Sequence, residues 1–110
     1  MQREIKFRIW YNHQARFDYG SFELFAEHSF PLNWCQIQQF TGLKDKNGQE
    51  IYEGDVVEYT VSVVNTETGV GEVKFDNGAF GVDYNPLFNI YEKNIKIIGN
   101  IFKNPELLKP

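Results

Sequence analysis

The sequence predicts an all-β domain, and three observations predict it. Apolar and polar residues alternate in several short runs, the period of a strand with one face on a core and one in water. Gly and Asn recur between the runs, where hairpin turns need them. Aromatic residues make up 16% of the 110 residues, from ten Phe, six Tyr and two Trp. Bulky planar side chains suit pleated sheet surfaces. Short strands at regular intervals, joined by Gly and Asn turns, suggest an antiparallel meander curled into a partly open barrel.

The elements follow in order. Ile5-Lys6-Phe7-Arg8-Ile9 alternates, so Ile5, Phe7 and Ile9 are expected inward and Lys6 and Arg8 outward. Trp10 and Tyr11 break the alternation, Asn12-His13-Gln14 reads as a turn, and Arg16 to Tyr19 returns as a second strand before Gly20-Ser21. Phe22 to Phe30 has helix formers and strand formers together and is read as irregular with a strand-like portion. Pro31 and Asn33 punctuate the chain. Cys35 to Phe40 alternates again, with Ile37 and Phe40 as its core positions.

Asp45-Lys46-Asn47-Gly48 is a turn signal, because Asn47 and Gly48 both tolerate the positive φ of a tight turn. Gln49 to Tyr52 is the return strand, and Glu53-Gly54-Asp55 is a second corner. Gly54 supplies a conformation that other residues resist, and Asp55 can accept main-chain N–H bonds there. Val56 to Val64 is β-branched and predicts the longest strand. After a polar loop at Asn65 to Gly69, Val70 to Phe75 pairs back. Asp76-Asn77-Gly78 is another hairpin signal, Ala79 to Tyr84 is a strand, and Asn85-Pro86 ends it. Ile95 to Ile98 is the last strand, stopped by Gly99-Asn100. Asn104 then caps one helical turn with Pro105 in first position.

Composition bounds the function. A chain of this length predicts one domain. The net charge of −4 disfavours a phosphate-tracking nucleic-acid binder, and Lys93, Lys96 and Lys103 are too scattered to form a basic stripe. A single cysteine, Cys35, excludes an internal disulfide. The charged opening MQREIKF does not read as a signal peptide, and no run approaches the roughly 18 apolar residues of a membrane span. These features predict a cytoplasmic protein without membrane contact.

The opening Arg3 to Trp10 (REIKFRIW), the block Gln39 to Val57 (QFTGLKDKNGQEIYEGDVV) and the close Ile98 to Leu108 (IGNIFKNPELL) together resemble the YopX family, in that family's order and over nearly the whole chain. The resemblance implies a phage or prophage origin in a bacterial host and an SH3-like barrel with an additional β-rich part. It brings no activity and no catalytic residue. Tyr11 to Trp34 matches no motif of the family. The expected division is an aromatic β-rich segment over 1–39, the SH3-like portion over 40–102 and a short tail over 103–110.

Candidate sites weigh against function. His13, His28 and Cys35 are too far apart in sequence for an ordinary zinc site. A Cys35–His28 nucleophilic pair has no marked oxyanion hole or orienting acid. Asp45, Glu50, Glu53 and Asp55 gather across two turns, where carboxylates ordinarily cap the backbone or face water. A glycosidase would set two of them across a cleft. The DKNG turn lacks the ligand ladder of a calcium loop, and Gly69, Gly71 and Gly78 lack the strand-to-helix context of a dinucleotide site. Trp10 and Trp34 could stack bases or sugars, but packing is favoured. No catalytic residue, cofactor, metal or small-molecule ligand is therefore expected.

Asn47, Gly48, Gly54, Asp55, Asn77 and Gly78 are assigned to structural turns. Ten of the eighteen aromatics fall in the first forty residues, which makes Trp10, Tyr11, Phe22, Phe25 and Trp34 candidates for an interface. The reading is a non-enzymatic accessory protein working through protein contacts as a homo-oligomer, with a phage or host protein as a further partner. The alternatives are a small-barrel nucleic-acid module and, last, an enzyme of unassigned class.

Overall fold

Thr41, Gly42 and the Asp45 turn let one long strand pair along two different stretches within a four-stranded sheet. In the computed structural model, which describes residues 5–20, 35–61, 68–83, 85–90 and 92–108, strand β3 runs Cys35–Lys44. Its first half pairs with β1 (Phe7–Tyr11), which also pairs with β2 (Arg16–Gly20). Its second half pairs with the short β4 (Glu50–Tyr52), Phe40 opposite Tyr52 and Lys44 opposite Glu50. The register slips between those two pairs. Gly42, at φ +87°, takes up the slip. The Thr41 hydroxyl donates to the Ile51 carbonyl at 2.7 Å and accepts the Leu43 N–H at 3.2 Å. The bulge therefore keeps its polar groups bonded while bending the strand.

A second sheet has the order β10-β5-β6, from β10 (Ile95–Asn100), β5 (Asp55–Tyr59) and β6 (Gly69–Glu72). A third has the order β7-β8-β9, from β7 (Lys74–Asp76), β8 (Ala79–Val82) and the two-residue β9 (Asn85–Pro86). Main-chain bonds outside the ladders tie the sheets together. The Gly54 N–H donates to the Val73 carbonyl, the Val73 N–H to the Asp55 carbonyl, and the Lys46 N–H to the Ile95 carbonyl. The result is an all-β, partly open SH3-like barrel with an additional N-terminal β-rich segment. Its core is built on Ile51, Val57, Val73, Val82, Leu87 and Ile95, each at most 3% exposed. A 3-10 turn at Pro105–Leu108 follows Asn104.

Several sequence expectations change. β5 ends at Tyr59, and β3 is the longest described strand. The run from Val70 to Phe75 is broken at Val73, whose two main-chain bonds go to the Gly54–Asp55 corner instead of to a strand partner. Arg8 is buried and Ile5 exposed, contrary to the alternation. The reason is that β1 is an inner strand covered on both faces, with Ile9 inside on one and Arg8 and Trp10 inside on the other. Alternation marks sidedness only where one face meets water. On β3, Gln38 and Phe40 share a buried face, and Ile37 is exposed on the other. The expected irregular segment over Phe22 to Phe30 lies outside the described residues.

Candidate functional site

The barrel and the N-terminal sheet meet at the corner Tyr52-Glu53-Gly54-Asp55. Gly54 sits there at φ +85°, and a Cβ added to it would lie 1.9 Å from the Gln38 amide nitrogen. The corner thus needs glycine twice, for its backbone and for the side chain pressed against it. Gly48, at φ +79°, has open space where a Cβ would go. Gly48→Ala is therefore expected to cost about 1 kcal/mol through backbone strain alone. Gly54→Ala should cost clearly more, and paired thermal melts measure the difference.

Arg8 of β1 reaches this corner. Its Nη2 lies 2.9 Å from Asp55 Oδ1 and donates to the Glu53 carbonyl at 3.1 Å, while its Nε donates to Gln38 Oε1 at 2.8 Å. The guanidinium carbon lies 4.3 Å from the Phe17 ring centroid and 5.0 Å from that of Tyr52. The other carboxylate oxygen of Asp55 accepts the Tyr52 N–H at 2.8 Å. Both charged side chains are at most 5% exposed. Burial pushes the Asp55 carboxyl above its ordinary range, against the opposing pull of the Arg8 charge and the Tyr52 N–H. The balance says that desolvation outweighs attraction, as is common for buried pairs.

At the pair opens a cleft of about 310 Å³, lined also by Tyr19, Tyr52, Glu50 and Gln49 and by Gly99 and Asn100 at the end of β10. Tyr19 stands edge-on to Tyr52 at 5.5 Å between centroids. Lys6 pairs with Glu50 at its edge. Burial, then the nearby Glu50 charge, raises the Tyr52 phenol. The cleft offers two aromatic walls, amide groups and a floor whose charges are already paired. Such a surface suits neutral or zwitterionic contacts, while its charged groups hold the two sheets in register.

The sequence-assigned turn residues take distinct places. Asn77 and Gly78 have φ +52° and +80° in the β7–β8 hairpin. The Asn47 N–H donates to Asp45 Oδ1 at 2.9 Å. Each of the four carboxylates of the central block has its own partner, and of the four Glu50 and Asp55 line the cleft. Asp45 accepts three main-chain N–H bonds, Glu50 faces Lys6, the Glu53 carboxylate accepts the Gln39 N–H, and Asp55 faces Arg8.

Trp10 is only 7% exposed and stacks on Phe102 at 5.1 Å with planes 8° apart, so its ring lies inside the chain. Tyr11 is half-buried beneath Arg16, and burial, then Asp18, raises its phenol. Phe22, Phe25, Trp34 and His28 lie outside the described residues. Lys93 and Lys96 join Lys46 around a hollow of about 130 Å³ that also holds Glu58. Lys103 instead lies over the Phe17 ring.

Two features escaped the sequence reading. One is the Arg8–Gln38–Asp55 network, because its members lie on three separate segments. The other is a strap between Tyr59 and Asp83, whose carboxylate accepts the phenol O–H at 2.8 Å. Gly69 and Gly71 make room for it, since an added Cβ would press on the Tyr59 ring or on the Asp83 carboxylate, at 2.6 and 2.7 Å. Two glycines at alternate positions of one strand were the available signal.

Burial, then the Asp83 bond, pushes the Tyr59 phenol up to about 12. Its folded value thus exceeds its ordinary 10.0, so its contribution to stability is complete below pH 10 and is lost as pH rises toward 12. Ultraviolet titration should find a late-ionising tyrosine. Tyr59→Phe should abolish that step and cost about 1 kcal/mol.

The strand order, the bulged β3 and the closing corner define a small all-β barrel of SH3-like form with an N-terminal sheet laid against it. A family model described as "YopX protein" matches residues 3–109. The chain belongs to the YopX family. It is also similar to the crystal structure of protein EF1440 from Enterococcus faecalis, at 25% sequence identity and a TM-score of 0.66, with 98% of this chain and 100% of that chain covered. No curated protein matches it. Among the described residues no helix is long and apolar enough to cross a membrane.

Proposed function

We propose that this chain is a non-enzymatic contact module that associates with itself, in the cytoplasm of a bacterial host and in a phage or prophage setting. One observation carries the reading. The ionisable groups at the cleft are tied to each other and to the main chain, while large apolar side chains point out from the barrel. Phe88 is 72% and Phe75 56% exposed, on the third sheet and the turn that follows it. Apolar area of that kind is favourable to cover with protein. Size-exclusion chromatography with light scattering tests the reading. A mass rising above the 12.9 kDa of one chain with concentration is expected, and a constant monomer would remove self-association.

The gathering of Lys46, Lys93 and Lys96 around one hollow favours a second reading, a nucleic-acid module. The overall acidity and Glu58 oppose it. Titration with single- and double-stranded oligonucleotides at low salt decides, since phosphate contacts are strongest there. Absence of binding at micromolar protein would dispose of it.

A further inference from the structure

Strand β7 reads Lys74-Phe75-Asp76, and all three residues are exposed. It is an outer strand of its sheet, pairing with β8 alone: Lys74 opposite Gly81, Phe75 opposite Phe80, Asp76 opposite Ala79. The two-residue turn at Asn77-Gly78 fixes the phase of this hairpin. Residues flanking such a turn exchange both main-chain bonds, and bonded and non-bonded pairs then alternate. Asp76 and Lys74 therefore aim their N–H and C=O at β8, and Phe75 aims its own away from the sheet. Among the described residues no main-chain group bonds to that outer side of Phe75. An outer strand with outward-facing main-chain groups is a template for another strand.

We infer that β7 is the self-association surface, with two copies pairing β7 to β7, antiparallel, about a two-fold axis through Phe75. The inference rests on the self-associating reading above and supplies its surface. The occupant follows from the sequence of the strand. Under that two-fold, the two Phe75 residues exchange a pair of main-chain hydrogen bonds. Lys74 of each copy then lies opposite Asp76 of the other, so both charge pairs are favourable.

A slipped two-fold through Lys74 would set lysine against lysine, and one through Asp76 would set aspartate against aspartate. The strand thus selects a single register for its own copy. Phe80, whose ring meets Phe75 edge-on at 5.0 Å, extends the apolar contact on the opposite face from the charges. Three residues a side make a small interface, so the dimer is weak and concentration-dependent.

Sedimentation equilibrium of the full chain, from about ten micromolar to about one millimolar, tests this with exchanged charges. The wild-type chain should shift from monomer to dimer across that range. Lys74→Asp makes the strand acidic throughout and Asp76→Lys makes it basic throughout, so each variant alone should associate about tenfold more weakly. An equimolar mixture of the two should regain dimer as a heterodimer, and the double variant K74D/D76K should regain the homodimer. Single variants that associate like the wild type would overturn the β7 surface and leave the self-associating reading standing. A wild-type chain that stays monomeric throughout would overturn both.

Discussion

Asp55→Ala is expected to destabilise the fold by about 3–5 kcal/mol, because it strands a buried guanidinium without its counter-charge. The Arg8 side chain would keep the Gln38 amide oxygen and the Glu53 carbonyl, both neutral acceptors, and the Tyr52 N–H would lose its acceptor as well. Arg8→Met strands the Asp55 carboxylate in the same way, with the Tyr52 N–H left to hold it. The double variant Arg8→Met with Asp55→Ala removes both charges, so it should lose less than the sum of the single changes. Urea unfolding of the four proteins gives the coupling. A loss under about 1 kcal/mol for Asp55→Ala would mean that the two sheets are joined by something other than this pair.

The same carboxyl sets a pH dependence whose sign is fixed by its shift. Burial holds its folded value above the ordinary 3.8, so in that window the folded chain binds more protons than the unfolded one. Its contribution is complete below the ordinary value and is lost as pH rises through the raised one. The gap in stability between the wild-type chain and Asp55→Ala should therefore narrow as pH rises from about 4.

The turns were legible in the sequence because few residues can occupy positive φ. Gly48, Gly54, Asn77 and Gly78 stand where the backbone needs them. Strand order was less legible. β1 is covered on both faces, so alternation misplaced Arg8; Ile5 lies ahead of that strand and Ile37 on a half-open stretch of β3, and both are exposed. The cleft was not legible at all, because Arg8, Gln38 and Asp55 meet only after the first sheet docks on the corner. Sequence spacing carries no record of such a long-range encounter. The carboxylates were legible as turn residues and illegible as individuals. Asp45 looked like one of four exposed acids, yet it is the one with no exposure at all.

Asp45→Ala is the second change expected to have a large effect. The Asp45 Oδ1 accepts the N–H groups of Asn47 and Gln49, each at 2.9 Å, and its Oδ2 accepts that of Ile97 at 3.0 Å. The carboxylate thus holds the turn closed and fastens it to β10 across 52 positions of sequence. Alanine would leave three donors without this acceptor, at about 1–3 kcal/mol for one kept from water and less for those of the exposed Asn47 and Gln49, so a total of about 2–4 kcal/mol is expected. Asn in the same place keeps one accepting oxygen and turns an amide N–H₂ toward at least one donor. Asp45→Asn should therefore fall between wild type and alanine.

Denaturant unfolding ranks the three chains, and amide hydrogen exchange separates local from global loss. In Asp45→Asn the Ile97 and Gln49 amides should exchange faster than those of β1, because the turn and β10 come apart before the N-terminal sheet does. Unchanged protection at Ile97 would show that β10 is held by its ladder with β5 and by the Lys46 N–H on the Ile95 carbonyl, without the carboxylate. The carboxylate would then be closing only its own turn.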